Sequence, residues 1–507
     1  SRMSIRYVRF GFLKLPKLPD GGYGVALSEI ELLDHGQVVS HGATITTSDS
    51  VEGDGWGLQN LIDGDTKSHD AIVVPLPPAP HLRTEFELAA GVKRATAYVT
   101  TLGLYELHLN GSVVGDHVLA PEWTRYDGHV QYQAYDVTSL LQKGRNAAGL
   151  VLGDGWYAGR IGLADRIPGF PKRGLYGDKP LCLVQIEAEL QDGTRTRVVT
   201  GRDWRSTIEG PIRADDLLDG ETYDARRELA GWDQPNYDAK DWVAVEEVGA
   251  PDEGIYWQPS EPMRVTEELA PVAITEPAPG TYIADFGRNV TGRCRIACSG
   301  AAGTTVVLRH GEMLDAQGKL YVENLRTAQQ TDRYVLRGGA RETWEPRFTL
   351  HGFRYVELTG LASKPAPGDL VARVVRTSAR ETATFASSEP VLDALWRNAR
   401  NSLAGNLTGI ATDCPQRDER LGWLGDFGAF AQTALYQMDL AAFVGKWAWD
   451  VRDAAGRDGR FPDFAPHPFG SGDRFTGAPG WGDAGVSVPW TAYVNYGDRR
   501  LLELQQL

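Results

Sequence analysis

The densest concentration of reactive side chains is Asp413-Cys414-Pro415-Gln416-Arg417-Asp418-Glu419-Arg420-Leu421-Gly422-Trp423-Leu424-Gly425-Asp426. Four carboxylates, two arginines and an indole share fourteen positions. The stretch opens on a Cys-Pro break and runs into an apolar pattern of helical spacing. Charge at a helix start can be purely structural, because acidic side chains there favour the macrodipole. A solvated helix face, however, has no use for Trp423 or for the glycines Gly422 and Gly425 around it. Carboxyl groups can move protons and accept hydrogen bonds from hydroxyls, and a flat indole can cover a ring. A sugar site needs all of these, so the chemistry favours a polar active site over a structural turn.

The run from Asp413 to Trp423 resembles the signature of the bacterial α-L-rhamnosidases, glycoside hydrolase family 78. The resemblance implies an inverting exo-α-L-rhamnosidase with Glu419 as general acid. It also implies that Asp413, Arg417, Trp423 and Asp426 line the sugar pocket. Trp481 and Asp483, in Gly480-Trp481-Gly482-Asp483-Ala484, fall on further family positions, Trp481 as a stacking wall. Core packing for Trp481 and a helix cap for Asp483 are the competing roles. Leu424 stands where the family often carries threonine. No cofactor is required, a structural calcium aside, and the implied partners are rhamnose-containing glycosides or polysaccharides. A non-catalytic carbohydrate-binding protein is the alternative. A general acid must hold its proton near neutral pH; burial and neighbouring carboxylates favour that, and Arg417 opposes it.

A chain of 507 residues is too long for one hydrophobic core, so three or four domains are expected to carry this stretch. With 52 Lys plus Arg against 67 Asp plus Glu, the formal charge of -15 disfavours nucleic acid and anionic membrane surfaces and suits a neutral substrate. The counts of Gly (58), Trp (14) and Tyr (19) favour a β-rich, turn-rich protein. No apolar run reaches transmembrane length, and no secretory leader precedes the strand-like Ile5–Phe10, so a cytoplasmic location is expected. A periplasmic or secreted protein stays open if the N-terminus was trimmed. Cys182, Cys294, Cys298 and Cys414 show no metal-binding spacing and read as reduced thiols. Self-assembly into a homo-oligomer is left open.

The expected organisation is multidomain and mostly β, with β-sandwich or jelly-roll domains followed by helices. Residues 1–78 form a partial discoidin-like carbohydrate-binding unit, because Leu61-Ile62-Asp63-Gly64-Asp65 resembles the calcium and ligand turn of such modules. Asp63 and Asp65 are calcium candidates, against an Asp-Gly turn held by its own side chains. Residues 79–258 read as a first β-sandwich, with Asn110-Gly111 marking a hairpin. Asp154 and Trp156 sit there on a glycine-flanked loop that is either a structural turn or an arm reaching a neighbouring site. Residues 259–377 read as a second sandwich that holds Glu312, a weak catalytic candidate.

From 378 the period turns helical, with Ser387-Ser388-Glu389-Pro390 as a start signal and roughly four helices in all. By resemblance these open an (α/α)6 barrel of twelve helices. The general base, a glutamate of the later helices, is therefore expected downstream of Leu507, and the remaining barrel segment or a second chain is an expected partner. Residues 1–507 by themselves are expected to be inactive and to expose apolar helix faces.

Overall fold

The computed structural model describes residues 76–167, 170–249, 254–469 and 474–504, and ahead of them a small antiparallel pair, Leu33–Asp34 with Gln37–Val38. Asp63, Asp65 and the jelly-roll expectation for 1–78 lie outside the described residues.

Two sheets enclose the first core. One orders Arg195–Val199, Leu181–Leu190, Val92–Leu102, Val130–Asp136 and Ile255–Trp257; the other orders Val243–Ala244, Arg205–Thr207, His81–Leu88, Gly144–Gly153, Leu104–Leu109 and Ser112–Val113. Side chains alternate in direction along a strand, so Ala95, Ala97 and Val99 of the first sheet meet Leu107, Leu109 and Leu150 of the second, all buried. Asn110-Gly111 closes the hairpin to Ser112–Val113 with both residues at positive φ, 51° and 85°, the geometry that makes this dipeptide a hairpin signal.

The third sheet has ten strands. Its main path runs Ile212–Ala214, Thr222–Asp224, Thr331–Val335, Thr305–Gly311, His351–Thr359, Thr281–Cys298, Leu370–Thr377 and Met263–Leu269. Ala273–Ala278 and Glu342–Trp344 also pair with the long strand Thr281–Cys298. Residues 212–224, assigned by the sequence pattern to the first sandwich of 79–258, thus form one edge of this sheet. Thr222–Asp224 runs parallel to Thr331–Val335, and Glu221 N donates to Asp332 Oδ1 at 2.9 Å. Pairing across more than a hundred residues leaves no local trace in the sequence.

One short helix, α1 (Gly155–Ala158), interrupts the β layers. Among the described residues the other α-helices follow residue 389: α2 (Pro390–Asn406), α3 (Leu424–Gln437), α4 (Ala441–Asp453), α5 (Ala484–Tyr496) and α6 (Arg500–Leu504). Pro390 occupies the first helical turn of α2, where its missing N–H costs nothing. Phe427 and Leu435 of α3, Phe443, Val444 and Trp447 of α4, and Val488 and Ala492 of α5 share one core. Val391 and Leu395 of α2, and Val486, Trp490 and Val494 at every fourth position of α5, stand exposed. Residues 77–507 form one compact unit, so the three regions expected there pack together. No helix among the described residues is long and apolar enough to cross a membrane. All four cysteines are free thiols.

Candidate active site

The chemistry-bearing stretch forms the loop between α2 and α3 and ends at the N-terminal mouth of α3. It is cross-braced by its own backbone: Asp413 N donates to Leu421 O at 3.1 Å, and Leu421 N donates to Asp413 Oδ1 at 3.0 Å.

Two of its charges hold the loop in place. Arg420 is buried, with φ at 52°. Its guanidinium donates to the carbonyls of Leu217, Leu350, Gln416 and Arg417 and to Gln330 Oε1. Burial pushes it down to about 10, and carbonyl dipoles rather than a counter-ion surround it. Asp418 is fully buried; it accepts from Leu163 N at 3.1 Å and from Thr327 Oγ1 at 2.9 Å. One side chain therefore ties the loop to both β regions. The sequence pattern counted both among the reactive charges; their long-range partners lie 70 to 255 residues away in the chain.

The remaining charges converge. Arg417 Nε and Nη2 reach Glu419 Oε2 at 2.9 and 2.8 Å, and Arg326 Nη1 reaches the same oxygen at 2.9 Å. Among the described residues no hydrogen bond falls on Glu419 Oε1. Asp413 Oδ2 is buried, has no hydrogen-bond partner among the described residues, and lies 3.6 Å from Arg417 Nη2. Burial, reinforced by the Glu419 charge, pushes the Asp413 carboxyl up to about 7. Asp426, in the first turn of α3, is also raised, by desolvation first and the Glu419 charge next, with Arg417 opposing. Glu312 accepts from Asn289 Nδ2 at 3.2 Å and is raised by burial, with Arg417 the opposing charge, so it borders the same cluster.

Aromatic rings wall the mouth. Trp423 packs edge-on against Phe464, Phe475 and Trp481, with the Trp481 ring centre 6.4 Å away. Trp423 Nε1 is buried and has no partner among the described residues. Trp481 is 40% exposed, which removes core packing as its role. The loop that carries it is pinned by Leu424 N donating to Asp463 O at 2.8 Å and Ala478 N donating to Asp463 Oδ1 at 3.0 Å. Asp483 stands at the start of α5 but makes no side-chain cap bond; it accepts from Gly480 N at 3.2 Å. Asp154 pairs with Arg173, and Trp156 is buried and stacked on Trp123, so both serve the packing of the loop behind the site.

Asp413, Cys414 and Glu419 bring ligand atoms within 4.8 Å of one another. Two guanidinium groups already occupy Glu419 Oε2, and burial pushes the Cys414 thiol up to about 12, so the cluster suits proton chemistry better than a metal ion. A buried set of His310, Asp332 and His351 lies deeper; His351 Nε2 is 3.1 Å from both Asp332 oxygens, a hydrogen-bonded core pair.

The raised Asp413 has a consequence for stability. An unfolded aspartate loses its proton near 3.8, whereas the folded one holds it up to about 7. This group therefore stabilises the fold fully below pH 3.8, and that contribution is lost as the pH climbs through about 7. Asp413→Asn is expected to melt higher than the parent at pH 8, with the gain shrinking as the pH is lowered toward 5. Thermal melts at the two pH values check this; equal shifts at both would contradict it.

Three family models match the chain: the alpha-L-rhamnosidase N-terminal domain over 90–267, the bacterial alpha-L-rhamnosidase concanavalin-like domain over 275–376, and the bacterial alpha-L-rhamnosidase six-hairpin glycosidase domain over 380–505. An alpha-L-rhamnosidase of Streptomyces avermitilis is 48% identical over 428 residues, 84% of this chain and 40% of that protein. A crystal structure of the Streptomyces avermitilis alpha-L-rhamnosidase complexed with L-rhamnose superposes with a TM-score of 0.81 at 47% identity, over 85% of this chain and 41% of that one. The alpha-L-rhamnosidase from Dictyoglumus thermophilum gives 0.79 at 35% identity, over 84% and 46%. The chain spans 40–45% of the length of the curated relatives it matches.

Proposed function

We propose that this chain, which belongs to the family of the bacterial α-L-rhamnosidases, carries the general acid of an inverting exo-α-L-rhamnosidase. The observation that carries the reading is the convergence of Glu419, Asp413 and Arg417 beside the Trp423 and Trp481 rings. Glu419 protonates the glycosidic oxygen through Oε1, while its Oε2 is held by the two arginines. Asp413, Arg417 and Asp426 hold sugar hydroxyls, the permanent charge of Arg417 strengthening its bonds. Trp423 offers a free indole N–H, and Trp481 covers a ring face.

Inversion needs a second carboxylate about 6.5–9.5 Å away on the opposite face, with room for a water. Asp413, Asp418 and Asp426 belong to the acid's own segment, and Asp463 and Asp483 already accept backbone N–H bonds. The family resemblance assigns the base, a glutamate of the later helices, to a segment outside these residues. The six-hairpin match supports reading α2 to α6 as the opening of an (α/α)6 barrel, and the enclosed cores support β-sandwich domains ahead of it. No cofactor enters the chemistry. Calcium at Asp63 and Asp65 would show as a drop in melting temperature when the full-length protein is treated with EDTA.

The test is hydrolysis of 4-nitrophenyl α-L-rhamnoside by the full-length protein, followed by proton NMR during the first minutes. β-L-rhamnose should accumulate first. Initial release of the α anomer, or no turnover of any α-L-rhamnoside, would overturn the proposal.

A further inference from the structure

We infer that Arg326 is a positioning residue for the acid, fixing one oxygen of Glu419 so that the other is presented to the substrate. This rests on the assignment of Glu419 above. Arg326 lies far from the signature, just after the short helical turn Glu323–Leu325, within the second β region. Its Nη1 contacts Glu419 Oε2 at 2.9 Å and donates to Asp418 O at 3.1 Å, so one nitrogen spans two consecutive residues of the loop. The residues around it brace the same loop. Asp418 N donates to Leu325 O at 3.0 Å, and Thr327 Oγ1 donates to Asp418 Oδ2 at 2.9 Å. Three consecutive residues, 325 to 327, thus grip Asp418 and Glu419.

The backbone at Arg326 adds an independent sign. Its φ is 61°, a conformation that non-glycine residues adopt rarely and that clusters at functional sites. Such a cost of roughly 1–3 kcal/mol persists only where surrounding contacts over-determine it. Here those contacts are the grip on the acid loop.

A second guanidinium on the same carboxylate oxygen makes sense as an orienting group. Arg417, on the acid's own loop, moves with it; Arg326, on a β framework, does not. With Oε2 held from both, rotation about the carboxyl bond is suppressed, and Oε1 is left without a hydrogen bond from the described residues. The other groups facing Glu419 are Asp413 and Cys414 of its loop and Asp426 of α3, with Glu312 reaching Arg417 from the β region.

Loss of Arg326 should therefore make acid assistance less effective. The experiment compares the full-length protein with Arg326→Met, Arg326→Lys and Glu419→Gln on a natural rhamnoside with a poor leaving group and on an activated aryl rhamnoside. Arg326→Met is expected to lose about tenfold or more in kcat on the poor leaving group, within the general-acid range, and much less on the activated one. Arg326→Lys, which keeps the charge and a donor for Glu419 Oε2, should restore part of the rate on the poor leaving group. Equal losses on both substrates, or wild-type rates in Arg326→Met, would overturn this inference while leaving the acid assignment standing. Wild-type rates in Glu419→Gln would overturn the acid assignment and this inference with it.

Discussion

Glu419→Gln is expected to remove nearly all turnover of rhamnosides with poor leaving groups, a loss of about 10²–10⁴ in kcat, the usual worth of a positioned general acid. Glutamine fits the same space and can still accept from Arg326 and Arg417 through its carbonyl oxygen, so the loop should keep its shape. It has no proton to give. Substrates whose leaving group departs unaided should lose far less, because the missing step no longer limits them. The contrast between the two substrate classes, with the melting temperature unchanged, identifies an acid rather than a binding residue. A uniform loss below about tenfold falls under that range and speaks against the assignment.

Gly162→Ala should be nearly as damaging, although Gly162 carries no functional group. A Cβ at this position would lie 1.6 Å from the carbonyl oxygen of Glu419 and 2.4 Å from its carbonyl carbon. Both obstacles are backbone, so no side chain can swing aside. The neighbouring loop cannot yield easily either. Leu163 N is bonded to Asp418 Oδ1, Arg160 N to Asp216 Oδ2, and the Arg160 side chain to Asp219 and Thr327. The acid's backbone has to move by more than the ~1 Å at which misplacement can cost about 10²-fold in rate. Overpacking adds about 1–3 kcal/mol of destabilisation. Steady-state kinetics and a thermal melt of the purified variant check both parts. A variant with the parent's kcat would mean that the first β region does not set the position of the acid.

The two substitutions mark what the sequence can and cannot reveal. Asp413 to Trp423 was legible because its residue types are unusual together and adjacent in the chain. The hairpin at Asn110-Gly111 and the start of α2 at Pro390 were legible because the cause is local: positive φ in one case, a missing N–H in the other. Asp418 and Arg420 look as reactive as their neighbours, yet serve structure, since their roles depend on Leu163, Leu217, Thr327 and Gln330. Gly162 and Arg326 escaped notice for the converse reason. A glycine between Ile161 and Leu163, and an arginine after Leu325, belong to no local pattern; only the fold brings them to Glu419. The strand at 222–224 escaped likewise, because parallel pairing to 331–335 needs a long excursion that no window captures.

That strand limits how this architecture can be cut and recombined. Thr222–Asp224 leaves the first sandwich, joins the ten-stranded sheet, and the chain then returns to the first sandwich at Val243–Ala244. A crossover placed at the apparent boundary near 258 would exchange the ten-stranded sheet while leaving its two end strands, 212–214 and 222–224, with the other parent. The parallel partner Thr331–Val335, with Asp332 receiving Glu221 N, would then face a foreign neighbour. Chimeras joined there should fail in expression far more often than chimeras that transfer the described unit from Pro77 onward as a block. During synthesis the same thread delays closure: residues 212–224 cannot find their place until the ribosome has passed residue 335, so the sheet edge waits unpaired for roughly 5–20 s at ordinary elongation rates.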